Sequence, residues 1–84
     1  MKLLLVKTAL KQLTRIPNPF RNRLEVEIEK LAVNPFPRGY TKLTGREGYR
    51  IRMGDYRVIY HVSKKEKVVV VLSAQHRKDA YRYH

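Results

Sequence analysis

The residues best suited to chemistry are arginines. Arg50, Arg52 and Arg57 lie in the segment Tyr49-Arg50-Ile51-Arg52-Met53-Gly54-Asp55-Tyr56-Arg57, and Arg77 follows further along the chain. A guanidinium is planar, always charged and presents a fork of N–H donors that matches two oxygens of a phosphate. Arg rather than Lys at each of these positions fits that geometry. Asp55 is the one acid among the first three. A single charged residue on a strand is ordinarily a solvated one. A cluster of three arginines in a strongly basic chain points instead to a phosphate-binding face.

Two further side chains have proton chemistry. His76 carries an imidazole, a group suited to proton transfer, and Tyr81 carries a phenol that can donate a proton or stack on a base. Tyr81 stands four residues after Arg77, so on a helix the two share a face. Lys78 and Arg82 add phosphate-binding charge to the same tail. Each has a plainer reading: His76 as an exposed residue beside a basic turn, Tyr81 as packing for the tail. Glu25, Glu27 and Glu29 alternate too closely for a metal site and read as helix surface. Phosphate-loop, dinucleotide and zinc-protease motifs do not occur. No metal and no cofactor is expected.

The chain has 84 residues, which is one domain, 1–84, with a thin core. Nineteen Lys and Arg against seven Asp and Glu give +12, beyond the range of about 2–8 that suits a small domain. That self-repulsion suggests a polyanionic partner: nucleic acid first, an acidic protein second, an anionic membrane third. Hydrophobic residues at 43% and charged ones at 31% mark a globular chain rather than a disordered one. The absence of cysteine excludes a disulfide framework, a thiolate zinc site and a cysteine nucleophile. Leu3–Val6 is too short for a signal peptide, and no run is long enough to span a bilayer. A cytoplasmic protein without membrane attachment is expected.

The elements that must position these residues change period midway. Leu3–Val6 reads as a buried strand. Thr8 caps a helix from Ala9 to about Arg15 with Leu10 and Leu13 inward. Asn18 as N-cap with Pro19 at the first helical position starts a second helix. Its stripe is Phe20, Leu24, Ile28 and Leu31, with Arg21–Glu25 as an exposed pair, and Asn34-Pro35 ends it. Residues 34–47 read as a connecting loop. From Tyr49 to Ser73 the pattern is strand. Gly54-Asp55 makes a two-residue hairpin turn and Lys64-Lys65-Glu66-Lys67 the next turn. Val68–Leu72, apolar on both faces, reads as a central strand covered on both sides. His76 to Tyr83 forms one or two helical turns. The expected fold is α+β, in the order β-α-α-β-β-β, with the helical hairpin on a mostly antiparallel sheet.

The turn fixes the hairpin register. Met53 faces Tyr56, Arg52 faces Arg57, Ile51 faces Val58, Arg50 faces Ile59 and Tyr49 faces Tyr60. One face then carries Tyr49, Ile51, Met53, Tyr56, Val58 and Tyr60. The other carries Arg50, Arg52, Arg57 and His61. Like charges directly opposite one another are destabilising, so the Arg52–Arg57 pair is either tolerated in solvent or used on an anion.

The block from Gly48 to Tyr60, followed by Val68–Leu72 and by His76-Arg77-Lys78-Asp79-Ala80-Tyr81-Arg82, resembles the RelE/ParE superfamily of toxins from toxin–antitoxin systems. Leu43-Thr44-Gly45 and the helical hairpin fall where that family has them. The resemblance implies a microbial-ribonuclease-like sheet. It implies, for a RelE-type member, a metal-independent endoribonuclease that cuts mRNA in the ribosomal 30S A site. There the RNA's own 2′-OH attacks the adjacent phosphate. Carried over by position, Arg57 and Arg77 match phosphate-stabilising arginines and Tyr81 approximates an active-site tyrosine. Arg50 and Arg52 stand where the founding type has lysines that move protons, and arginine is a poor base. The resemblance therefore leaves His76 or Tyr81 as the base. A ParE-type member would instead inhibit DNA gyrase by binding it. Either type implies a cognate acidic antitoxin as partner.

Overall fold

A computed structural model describes residues 1–80 of the chain. The strands are β1 (Lys2–Leu5), β2 (Thr41–Lys42), β3 (Tyr49–Met53), β4 (Tyr56–Ser63) and β5 (Val68–His76). The helices are α1 (Lys7–Thr14), α2 (Phe20–Val33) and a single turn, α3 (Arg77–Ala80). The strands form one sheet in the order β1-β5-β4-β3-β2. β1 runs parallel to β5, and all other neighbours are antiparallel. The α+β architecture is the expected one, with a strand added. The loop at 34–47 contains β2, which pairs Thr41 with Arg50 and Lys42 with Tyr49. Two residues are too few to carry a readable alternation.

The helical hairpin packs on one face of this sheet. α1 begins at Lys7, and its N-cap is Val6, with no side-chain cap. Thr8 therefore lies inside the helix. The inward stripe is Ala9, Leu13 and, just past the helix, Ile16, all buried, whereas Leu10 is 51% exposed. The small Ala9 side chain lets α1 lie close against β5. There Gln12 Oε1 accepts the N–H of Ala74 at 2.8 Å. This contact is near a bulge, where Ile59 pairs with Ser73 and Tyr60 with Val71, leaving Leu72 as the extra residue.

Residue Pro19 occupies the N-cap position of α2, but the oxygen that serves the helix end is Asn18 Oδ1, which accepts the N–H of Asn22 at 3.1 Å. Leu24, Ile28 and Leu31 are buried as the stripe requires. Phe20 lies at its margin, half-exposed, with its ring 5.8 Å from that of Tyr56. Arg21 and Glu25 are 3.9 Å apart in solvent, an arrangement worth well under about 1 kcal/mol.

Ile51, Val58, Tyr60, Val69, Val71 and Ala74 supply the sheet's half of the core. Tyr60 is fully buried, and its hydroxyl donates to the carbonyl of Pro35 at 2.7 Å. Burial, with Tyr40 and Tyr49 nearby, pushes its pKa up to about 12. Gly48 is needed where it stands. Its φ is 121°, and a Cβ there would lie 3.1 Å from the Tyr60 carbonyl oxygen.

β5 is central, as expected, but the expectation of cover on both faces needs correction. Val69 and Val71 lie under the helices, whereas Val70 and Leu72 are half-buried on the other face. Among the described residues no helix crosses that face. Its apolar residues are shielded in part because β5 has strands on both sides. No described helix is long and apolar enough to cross a membrane.

Candidate phosphate-binding site

The open face of the sheet holds the arginines. Met53 pairs with Tyr56 across a two-residue turn, Gly54-Asp55, with Gly54 at φ 60°. Arg52 then stands directly opposite Arg57, as the register predicts. Arg57 pairs in turn with Gln75 on β5, which makes one row of Arg52, Arg57 and Gln75 across three strands. The next row is Arg50, Ile59 and Ser73. Strand alternation puts these side chains opposite Ile51, Val58 and Ala74, which are buried under the helices. Arg52 is exposed, and Arg50 and Arg57 are half-buried.

Arg77 follows β5 directly and is brought to the same place by the hairpin turn. Its backbone N–H donates to the Asp55 carbonyl at 2.7 Å. Its guanidinium lies 4.0 Å from Asp55 Oδ1. Arg52, Gly54, Asp55, Arg57 and Arg77 together line a depression of about 60 Å³. That is about the size of one phosphoryl group. Arg50, one row away, does not line it. His61 is on the same face but pairs with Val70, beyond the arginine rows.

His76 is not brought to this depression. It pairs with Tyr56, on the helix side of the sheet, and its ring stands edge-on to the Tyr56 ring with centroids 5.2 Å apart. Its Nδ1 accepts the backbone N–H of Lys78 at 3.2 Å. It lines a neighbouring cleft with Phe20, Arg23 and Met53, which shares the Gly54-Asp55 turn with the depression. The physical reason is alternation: Ser73 and Gln75 face the arginines, so Ala74 and His76 face the helices. The Lys78 side chain is exposed in α3. Tyr81 and Arg82 lie outside the described residues.

Sequence reasoning missed Gln75 and the Asp55 carbonyl. Alternation from the buried Ala74 would have exposed the first. The second is a backbone contact between distant segments and carries no sequence signal. Chemically, the three guanidiniums can hold a tetrahedral anion and offset charge that builds on it. None of them can accept a proton. Among the described residues, no group of three His, Cys, Asp or Glu is placed to hold a metal ion.

Known proteins share this arrangement of chain. Residues 3–81 match the family described as the ParE toxin of the type II toxin–antitoxin system parDE. Toxin RelE3 of Methanocaldococcus jannaschii is 32% identical over 88 residues, covering 99% of this chain and 98% of that one. A chain of the archaeal RelE–RelB complex from Pyrococcus horikoshii OT3 is similar with a TM-score of 0.80 at 34% identity, covering 90% of this chain and 93% of its own. The RelB–RelE antitoxin–toxin complex from Methanococcus jannaschii contains a chain with a TM-score of 0.80 at 28% identity, covering 95% and 96%. The match runs from β1 past the arginine hairpin to Tyr81, and on that extent the chain belongs to the RelE/ParE superfamily and is the toxin of a type II toxin–antitoxin system.

Proposed function

We propose that this toxin is a metal-independent endoribonuclease that cuts mRNA on the ribosome, at the 30S A site. The observation that supports it is the convergence of Arg52, Arg57 and Arg77 on one phosphate-sized depression. In this reading the 2′-OH of the RNA attacks the neighbouring phosphorus and the 5′ oxygen leaves. The products are a 2′,3′-cyclic phosphate and a 5′-hydroxyl. Negative charge builds on the phosphorane oxygens, and the guanidiniums offset it without having to move a proton. Arg57 and Arg77 carry that role. Arg52 and Arg50 bind the strand, and Lys78 and Arg82 extend its phosphate contacts. The proton acceptor is assigned to Tyr81, since the His76 ring is turned to the opposite side of the sheet with one nitrogen already engaged.

The reading includes a cognate acidic antitoxin. Relatives in solved structures are RelE chains complexed with RelB, and a +12 chain would meet an acidic partner quickly. The test is expression without the antitoxin in growing cells, followed by primer extension on translated messages. New 5′ ends within codons are expected. Intact messages in arrested cells would overturn the proposal.

A second reading is favoured by the matched family's own description, a ParE toxin. ParE-type action would be non-enzymatic inhibition of DNA gyrase. It predicts double-strand breaks with mRNA uncut, so the same induction experiment separates the two.

A further inference from the structure

The arginine depression contains its own anion. Among the described residues Asp55 is the one acid that lines it, and its carboxylate is 4.0 Å from the Arg77 guanidinium. Both side chains are more than 60% exposed, at 65% and 63%. An exposed pair of this kind contributes little to stability. The backbone of Arg77 does not depend on it either, because its N–H is held by the Asp55 carbonyl at 2.7 Å. That bond survives any change of the Asp55 side chain. What the carboxylate does change is the local field. A negative charge a few ångströms from the phosphate position opposes an incoming phosphate and neutralises part of what would attract it.

We propose that Asp55 is an intramolecular counter-ion that occupies the phosphate depression in the free toxin and holds down its affinity for RNA. A phosphate entering the depression takes the place of the carboxylate beside Arg77. Affinity for isolated RNA is thereby kept low, so that capture depends on contacts made elsewhere on the substrate. This inference rests on the reading of the depression as the RNA phosphate site.

The test measures binding of a fluorescent, fully 2′-O-methylated single-stranded RNA, which cannot be cleaved by 2′-OH attack. Anisotropy is read over a series of salt concentrations for the wild type, Asp55→Asn, Asp55→Glu and Arg57→Ala. Asp55→Asn is expected to bind about threefold to tenfold more tightly at low salt, from one unit charge at short range in a high-dielectric surface. The slope of log affinity against log salt should steepen by about 0.7, the value for one more phosphate charge neutralised on a single strand. Asp55→Glu, which keeps the charge, should stay near wild type, and melting temperatures should be unchanged. Equal or weaker binding by Asp55→Asn, with Arg57→Ala still weakening binding, overturns the counter-ion alone. If neither variant alters binding, the phosphate reading of the depression falls with it. Tighter binding by Asp55→Asn in a protein that leaves mRNA intact supports the counter-ion and rejects only the nuclease.

Discussion

Replacing Arg52 by Gln should make the protein more stable and less active. Arg52 lies directly across from Arg57, with Arg77 lining the same depression. Two unit charges about 6 Å apart repel by roughly 0.7 kcal/mol in water, and measured cross-strand effects span about 0.2–1 kcal/mol. Salt screening lowers the figure, so a gain of about 0.5 kcal/mol is expected. For a domain of this size that is a rise in melting temperature of about 2–4 °C. The packing loss is small because Arg52 is exposed. Hydrogen bonds to a charged group are worth about 1.5–3 kcal/mol, so loss of one guanidinium should weaken phosphate binding by at least about tenfold. Urea and thermal unfolding read the first effect. Anisotropy with a non-cleavable RNA, and growth after induction, read the second. A fall in stability of more than about 1 kcal/mol would mean that Arg52 holds the fold together. A stabilised variant of undiminished toxicity would mean that this face is not the working one.

Tyr60 gives a pH prediction. Its folded pKa is about 12 against an ordinary 10, so its contribution to stability is complete below pH 10 and is lost as pH rises towards 12. By pH 11 the wild type should have lost about 1 kcal/mol that Tyr60→Phe does not lose, measured as the difference between their urea curves at pH 8 and 11. At pH 8 Tyr60→Phe should be less stable by about 1–3 kcal/mol, because the Pro35 carbonyl loses its donor. Gly48→Ala should cost about 1–3 kcal/mol, from its positive φ and the close Tyr60 carbonyl, and lower the melting temperature without altering RNA affinity per folded molecule. His76→Ala should leave RNA binding within about threefold of wild type, and a tenfold loss in the anisotropy assay would mean that its ring reaches the arginines.

The hairpin was legible in the sequence because a two-residue turn with glycine leaves one register, and register fixes every face at once. All five pairs from Tyr49–Tyr60 to Met53–Tyr56 follow from it. The α2 stripe was legible for the same reason at a different period. α1 was less so. Hydrophobicity favours Leu10, but close approach to β5 favours the smaller Ala9, and packing distance is not written in composition. β2 is too short to show a pattern. The side that His76 takes is not legible locally: residues next to each other at the end of a strand turn to opposite sides, so standing beside Arg77 in sequence does not bring its ring to the arginines. The Arg77–Asp55 contact joins segments that no local rule connects.

The same alternation governs how this small domain divides its work. In β4, Tyr56, Val58 and Tyr60 pack against the helices, while Arg57, Ile59 and His61 face away. The inward residues are under constraint from packing, since a thin core leaves no reserve for a lost side chain. The outward residues are under the opposite constraint. Arg57 stands opposite Arg52, a like charge, within a chain of +12. A sheet with helices on both sides could not present Arg52, Arg57 and Arg77 together, and one with an apolar open face would have no use for them. Among the described residues the helices cover one face only, and that is what lets consecutive residues serve stability and anion binding in turn. It also explains why the site sits at the Gly54-Asp55 end of the hairpin: only there do a turn and the end of β5 come close enough to add a third guanidinium to the pair.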